Sequence, residues 1–93
     1  MDYNIKHNEE LSRFETVVDG ELGMVNYRRK DNVLAVTHTG VPLEIGGRGV
    51  AAALTKALLD YVRDNGLKVH PICPYTRAYI ERHPEYEDLV GVI

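Results

Sequence analysis

The chain contains few of the residues that stabilise small disulfide-linked or metal-centred domains. Its 93 residues include one cysteine, Cys73, and no tryptophan. A single cysteine excludes an internal disulfide and leaves a tetrahedral zinc site without a cysteine pair. His70 stands three residues before Cys73, but strand alternation points these two side chains to opposite faces. We therefore predict that the chain binds no metal.

Long apolar runs and an excess of basic charge are also missing. No segment approaches the roughly 20 apolar residues that a membrane-spanning helix needs. The first residues, Met1 to Lys6, lack the apolar core of a signal peptide, so we expect a cytoplasmic protein without a membrane partner. The formal net charge is −3, which argues against a nucleic-acid partner. The one basic cluster, Arg28-Arg29-Lys30, has the pattern of a solvated turn.

The length limits the chain to one domain, residues 1–93, with one modest core. In the first half, β-prone residues alternate over 13–18, 21–29 and 33–39, which predicts three strands. Asp19-Gly20 and Lys30-Asp31-Asn32 are turn signals between them, so these strands form an antiparallel meander. No pattern specifies an oligomer, and a monomer is favoured.

A helix over residues 50–65 is the clearest predicted element, and Gly66 is its stop signal. Residues 68–73 are predicted as a short strand. A strand–helix–strand unit of this length requires a parallel neighbour and a right-handed crossover. The apolar helix residues recur at the i, i+3, i+4 spacing of one face: Val50, Ala53, Leu54, Ala57, Leu58, Tyr61 and Val62.

A second helix is predicted over residues 75–83. Pro74 fits its first turn, where the missing N–H would have no helical partner, and Pro84 ends it. Residues 89–93 form either a last edge strand or a tail. The predicted fold class is therefore α/β with a mixed sheet, in which an antiparallel meander precedes a β-α-β crossover and a second helix.

The loop between the third strand and the first helix carries Gly46, Gly47 and Gly49. Glycines let the main chain turn tightly and approach a ligand closely. The first N–H groups of a helix lack partners, and the helix dipole adds partial positive charge there, which favours a phosphate or pyrophosphate. An ordinary strand-to-helix turn has the same local pattern. The loop has neither the Lys-Ser or Lys-Thr of a P-loop nor the G-x-G-x-x-G spacing of dinucleotide folds.

Four segments of the chain occur in this order: His38-Thr39-Gly40-Val41-Pro42, Gly47-Arg48-Gly49-Val50-Ala51, Cys73-Pro74 and Tyr79-Ile80-Glu81-Arg82-His83-Pro84-Glu85-Tyr86. Together they resemble the small, single-domain GCN5-related N-acetyltransferases, a short YjdJ-like group, over about residues 14–89. In the superfamily motif, Gln/Arg-x-x-Gly-x-Gly/Ala, Gly49 and Ala51 match the last two fixed positions, whereas Gly46 stands where Gln or Arg is usual.

The resemblance implies an N-acetyltransferase fold and transfer of an acetyl group from acetyl-CoA to a primary amine. It implies that the pantetheine arm enters a split between the strands that flank the crossover, with the pyrophosphate over the glycine loop. Ile80 stands where larger relatives often carry a tyrosine acid, so Tyr75 and Tyr79 are assigned to packing or cofactor contact. The predicted CoA contacts are Thr39, Gly40, Val41, Gly46, Gly47, Arg48, Gly49, Val50, Ala51, Ala52, Pro74, Tyr75 and Tyr79.

Cys73 and His38 are the candidate catalytic residues. Cys73 directly precedes a Pro-initiated helix, and a helix N-terminus favours the thiolate. Its sulfur can carry the acetyl group, line the thioester pocket or pack as a small hydrophobe. His38 ends the strand before the loop, where a neutral imidazole can accept the amine proton or can be a hydrogen-bonded structural histidine. Some relatives have Glu where Gly40 stands, and Glu44 is the weaker substitute here.

Two functions are compatible with these residues. The first is an acetyltransferase in which the amine attacks the thioester directly, because a positioned thioester needs no second nucleophile. The second is a module that holds CoA or acyl-CoA, or docks a protein partner, without turnover. Gly40 and Gly46 favour the module, since a base and a motif residue are missing, whereas His38 and Cys73 favour the enzyme. The sequence does not specify the acceptor amine.

Overall fold

The computed structural model describes residues 3–91 and contains a five-stranded sheet whose order follows the chain. Strands β1 to β4 pair antiparallel, and β5 pairs parallel with β4. The predicted α/β class with a mixed sheet is therefore confirmed. The strands are β1 (Lys6–Asn8), β2 (Arg13–Val18), β3 (Glu21–Lys30), β4 (Val33–Gly40) and β5 (Lys68–Pro71).

Two α-helices and two 3-10 segments complete the described chain. Helix α1 (Val50–Asp64) connects β4 to β5, and helix α2 (Pro74–Arg82) follows β5. A short 3-10 turn covers Leu43–Ile45, and a C-terminal 3-10 segment covers Pro84–Leu89. None of the helices in residues 3–91 has the length and apolar character needed to span a bilayer.

Several sequence-based expectations need correction at the element ends. Strand β1 was not predicted, because three mostly polar residues carry no detectable alternation. Strand β5 ends at Pro71 instead of residue 73, because the chain turns there and the Ile72 N–H bonds to the His70 carbonyl at 3.0 Å. The Arg28-Arg29-Lys30 cluster is exposed as expected, but it ends β3 and does not form a turn.

The C-terminal residues resolve the choice between strand and tail only in part. Pro84 ends α2 as predicted, yet it also begins a 3-10 segment, which proline permits because it needs no N–H in a first turn. Val90 then forms a parallel bridge with Val69 at the sheet edge, and the Gly91 N–H bonds to the Val69 carbonyl at 2.9 Å. Residues 92–93 lie outside the described range.

Helix α1 buries a wider surface than the predicted single face. Thr55 and Leu59 are fully buried although they lie beside the predicted stripe, because α2 and the C-terminal 3-10 segment contact α1 in addition to the sheet. The N-terminus of α1 approaches β3 closely: a Cβ at Gly23 would stand 3.0 Å from Val50 Cγ1. Predicted stripe residues Val50, Leu54, Leu58 and Val62 are buried, as expected.

A β-bulge in β4 changes which side chains face the helices. Asn26 pairs with His38 and Tyr27 pairs with Val36, so Thr37 is an extra residue without a partner in register. An extra residue reverses the alternation of the strand beyond it. Thr39 therefore shares the helix-covered face of the sheet with Val36, whereas His38 belongs to the other face.

The helices pack on one face of the sheet, and within residues 3–91 none lies over the other face. Several strand residues on that second face are open to solvent: Val17 is 65% exposed, and Arg28 and His38 are also exposed. Antiparallel sheets commonly have one packed face and one solvated face, which gives the alternation seen in β2 and β3. We call this second surface the uncovered face.

On the covered face, the His7 side chain of the short strand β1 packs in an aromatic cluster. The His7 ring stacks on Phe14 with centroids 4.1 Å apart and meets the edge of Tyr61 at 4.5 Å. His7 Nε2 lies 2.6 Å from the Tyr27 hydroxyl. Partial burial lowers the pKa of His7 below its usual value, against a smaller opposing effect of the Glu9 carboxylate.

We predict that the free energy of unfolding falls as the pH drops below about 6.5, the ordinary pKa of histidine. The unfolded chain binds a proton on His7 more readily than the folded chain, so acid favours unfolding. His7→Gln should flatten this dependence and remove a stacked pair worth about 0.5–1.5 kcal/mol. Urea denaturation at pH 7.5 and 5.5 measures this pH dependence of the free energy of unfolding, with His38→Gln on the uncovered face as the control. Equal pH dependence in both variants contradicts the assignment.

Candidate functional site

Strands β4 and β5 pair along only part of their course, which opens a split in the sheet. Their parallel register runs from Val33 opposite Lys68 to Val36 opposite Pro71. One further bond joins the Cys73 N–H to the Val36 carbonyl at 2.8 Å. Strand β4 then continues to Gly40 without a β5 partner. In α/β sheets, ligands bind beyond the carboxyl ends of strands such as these.

The glycine loop lies at the same end of the sheet and turns through left-handed backbone. Gly47 and Gly49 have φ angles of +77° and +78°, a region that glycine enters without steric cost. Gly49 is the N-cap residue of α1, and no side chain forms a capping hydrogen bond there. The first N–H groups of α1 lack helical acceptors and carry the positive end of the helix dipole. The loop therefore provides backbone donors for an anion.

A cavity of about 300 Å³ connects the loop, the start of α1 and the start of α2. Eight residues predicted to contact CoA line it together. Leu43 and Ile45 also line it and were not predicted, although their apolar side chains flank the loop in the sequence. Leu43 is 94% exposed, so the cavity has an uncovered apolar rim. The predicted lining residues are Val41, Gly46, Gly47, Gly49, Val50, Ala51, Ala52 and Tyr75.

Arg48 is directed away from this cavity. Its Nη1 forms an ion pair with the Asp19 carboxylate on the β2–β3 turn at 2.5 Å, and its carbonyl accepts a hydrogen bond from the Tyr3 hydroxyl. Both members of the pair are well exposed. The sequence prediction that Arg48 contacts a phosphate therefore requires its guanidinium to leave Asp19.

Four other predicted contact residues do not line the cavity. Tyr79 is 5% exposed and stacks on His83 with centroids 4.2 Å apart, so its ring belongs to the core. Pro74 begins α2 with an exposed ring. Thr39 and Gly40 lie on the unpaired part of β4, beside the split. Contact between these four residues and CoA stays a prediction.

Cys73 lies at the point where β5 has ended and α2 begins. It is the N-cap residue of α2 and is 7% exposed. Its Sγ lies 3.5 Å from the Thr39 hydroxyl, across the split. Burial raises the pKa of the Cys73 thiol, but hydrogen bonds from the Thr39 hydroxyl and from the Thr76 and Tyr75 backbone outweigh it, so the pKa lies below its usual value. The site therefore favours a thiolate more than an ordinary buried cysteine does.

His38 does not face Cys73. Its side chain is exposed on the uncovered face, where its cross-strand neighbour is Asn26. Cys73 and Thr39 lie on the other side of the sheet, and the bulge at Thr37 is the reason. The two candidate catalytic residues thus flank the split from opposite faces. The sequence could not show this arrangement, because simple alternation from Val36 would place His38 with the helices.

No group of three or more His, Cys, Asp or Glu residues in the described chain is arranged to hold a metal ion. The described chain brings three kinds of organic group to the split. These are the backbone donors of the loop, a thiol of lowered pKa and an exposed imidazole. Such groups can bind an anion, move a proton and take part in acyl transfer.

The chain is similar in sequence and in fold to several known proteins. The protein NATD1 of Mus musculus is 31% identical over 84 residues, which cover 86% of this chain and 76% of the relative. The Homo sapiens NATD1 is 40% identical over 52 residues, which cover 56% of this chain and 46% of the relative. An NMR solution structure of a GCN5-like protein from Staphylococcus aureus has a TM-score of 0.74 and 32% identity, and the match covers 98% of this chain and 90% of that chain.

The family assignment rests on a match along most of the sequence. A family model described as GCN5-related N-acetyl-transferase matches residues 13–89. These residues contain the split, the glycine loop and Cys73, and they confirm the resemblance drawn from the sequence motifs. The chain belongs to the GCN5-related N-acetyltransferase family.

Proposed function

We propose that the chain is an N-acetyltransferase that uses acetyl-CoA and transfers the acetyl group to a primary amine. The observation that carries this proposal is the cavity formed by the glycine loop and the uncapped α1 N-terminus, beside the β4–β5 split. The CoA phosphates bind the loop donors, and the pantetheine arm passes between the strands toward Cys73. The family membership supports acetyl transfer in general.

The reaction proceeds by direct attack of the amine on the thioester carbonyl. The amine nitrogen forms a bond to the carbonyl carbon, the carbon–sulfur bond breaks, and CoA leaves as a thiolate that takes up a proton. The proton lost by the amine goes to the His38 imidazole or to water. A neutral imidazole can accept this proton, and its exposure on the uncovered face leaves it open to an acceptor amine. The acceptor accordingly approaches from the uncovered face, opposite the glycine loop.

Calorimetry with acetyl-CoA, followed by an assay of free-thiol release across a panel of amines, tests the proposal as a whole. We expect saturable binding and amine-dependent release of CoA. Binding without release for any amine would favour the alternative, a module that holds acyl-CoA without turnover. Absence of binding would contradict both functions.

We predict that Gly49→Ala weakens acetyl-CoA binding by about tenfold, or 1.4 kcal/mol. Gly49 lines the cavity, and a Cβ there would meet no atom of the chain within 4 Å, so we expect the added methyl group to keep a phosphate from the loop backbone. Gly66→Ala is the matched control. Gly66 also has a positive φ, +65°, and open space, but it lies beyond the other end of α1. Calorimetry should show unchanged affinity for the control, and equal losses in both variants would mean that folding, not the cavity, is affected.

We predict that Asp19→Asn tightens CoA binding about two- to fivefold, because exposed ion pairs are worth about 0.2–1 kcal/mol. The substitution frees the Arg48 guanidinium for a phosphate and removes a nearby negative charge. The gain should shrink as salt rises. In the background of Arg48→Ala, Asp19→Asn should retain only the part of the gain that comes from the removed charge. A gain that is the same with and without Arg48 would show that this arginine does not reach the ligand.

We predict that Cys73→Ala keeps most of the turnover and that no acetyl group accumulates on Cys73. This follows from direct attack, in which the thiol lines the thioester pocket. Thr39→Val should raise the pKa of Cys73, since it removes a donor to the thiolate, and iodoacetamide alkylation should then need higher pH. Intact-protein mass spectrometry after incubation with acetyl-CoA decides the role. A kinetically competent acetyl-Cys73 species, with loss of turnover in Cys73→Ala, would establish covalent transfer instead.

A further inference from the structure

The uncovered face has a charge opposite to that of the whole chain. Among the strand residues of this face within 3–91, five are Lys or Arg and one, Glu15, is acidic, a net charge of +4. The whole chain has a net charge of −3, so the rest of it sums to −7. The basic residues of the uncovered face are Lys6, Arg13, Arg28, Lys30 and Lys68.

Four of the five cations form no ion pair with an acidic residue within residues 3–91. Arg13 pairs with Glu15 at 2.6 Å, and the Lys68 amine donates to the Asp88 carbonyl at 2.8 Å. Lys6, Arg28 and Lys30 are exposed, and none forms an ion pair with an acidic residue among residues 3–91. Exposed cations that their own fold leaves unpaired attract an anionic partner.

The uncovered face is continuous with the candidate reaction site. Arg13, Asn26 and His38 stand side by side on β2, β3 and β4, since Arg13 is paired with Asn26 and Asn26 with His38. Neighbouring strands are about 4.8 Å apart, so a row of three strands spans about 10 Å. The Asn26 side-chain oxygen is buried and has no hydrogen-bond partner in the described chain. Because this oxygen has no exposed area, a ligand that crosses the row contacts the half-buried Arg13 and the exposed His38 instead.

We propose that the uncovered face docks an acidic polypeptide segment and presents its lysine or terminal amine to His38 at the β4–β5 split. This assignment of the acceptor class rests on the proposed acetyltransferase function. Carboxylates on either side of the acceptor amine contact Arg28, Lys30 and Lys6, while the amine itself reaches the split. The exposed Val17 side chain supplies apolar contact at the β2–β3 end of the face.

Charge also argues against two other occupants. A free polyamine or another small cation is repelled by a face of net charge +4, whereas carboxylates beside an acceptor amine reverse that repulsion. A nucleic acid would meet no Phe, Tyr or Trp side chain among the strand residues described on this face, so its bases would lack the large aromatic platforms on which they stack best. The rest of the chain, at −7, would repel a long phosphate backbone.

Three synthetic peptides of equal length test the proposal. Each has one central lysine and a fluorescent label, with flanks of Glu and Asp, of Gln and Asn, or of Lys and Arg. Anisotropy at low salt measures binding without any need for turnover, and CoA release measures acetylation. We expect the acidic peptide to bind at least about tenfold more tightly than the neutral one, with a preference that declines as salt rises.

Arg28 and Arg29 provide a matched pair of variants. Both are exposed and adjacent in β3, but they point to opposite faces of the sheet, and Arg29 Nε donates to the Asp31 carbonyl. Arg28→Glu should weaken binding of the acidic peptide about two- to tenfold, because it replaces an attraction with a repulsion. Arg29→Glu should change the affinity for the acidic peptide by less than half the factor seen for Arg28→Glu. Both variants should bind acetyl-CoA as the parent does.

The outcomes separate this inference from the proposed function. Equal affinity for acidic and neutral peptides, or equal effects of the two arginine variants, would overturn the docking assignment even where acetyl-CoA binds and small amines are acetylated. Acidic-peptide binding that depends on Arg28, without CoA release, would support the docking surface and contradict acetyl transfer to it. A labelled single-stranded oligonucleotide that binds more tightly than the acidic peptide, through Arg28, would assign the face to nucleic acid instead.

Discussion

The partial pairing of β4 with β5 is the constraint on which the site depends. Four register pairs and two flanking backbone bonds, Lys68 N–H to the Asn32 carbonyl and Cys73 N–H to the Val36 carbonyl, join the two segments, and beyond them β4 is paired with β3 alone. The split that results brings the Thr39 hydroxyl within 3.5 Å of Cys73 Sγ. It also leaves the β4 edge beyond Val36 without a β5 partner. In the proposed function, this split connects the glycine loop to the thiol.

The bulge at Thr37 divides the chemistry of the site between the faces. Because it reverses the alternation of β4, Thr39 turns toward Cys73 and His38 turns toward solvent. The covered face then holds the loop donors and the thiol, while the uncovered face holds the imidazole and four cations that form no ion pair within residues 3–91. In the proposed reaction, a phosphate-bearing reactant approaches over α1 and an acidic one approaches over the sheet. A bulge beside a functional site is a recurring way to redirect one side chain without disturbing the rest of the strand.

Charge in this small chain is distributed unevenly, and ion pairs fix the positions of two of its arginine side chains. Asp19 keeps the Arg48 guanidinium outside the cavity, and Glu15 keeps Arg13 close to the sheet. Both pairs are at the surface, where each contributes little to stability and is weakened by salt. They matter more for which surfaces remain positive than for the folding of the domain. The core itself depends on apolar contact between α1, α2 and the covered face.

The sequence by itself determined the elements that local patterns specify. Alternation fixed β2, β3 and β4, helical spacing fixed α1, and two prolines fixed the limits of α2, all within a residue or two of the structure. The three loop glycines indicated the cavity, because tight turns and positive φ angles are local requirements. Cross-strand register is not local, so the bulge at Thr37, the face taken by His38 and the pairing of Arg48 with Asp19 were decided by the tertiary structure. The same reason made Arg28-Arg29-Lys30 look like one basic cluster in the sequence, although the pleat of β3 sends Arg29 to one face and its two neighbours to the other.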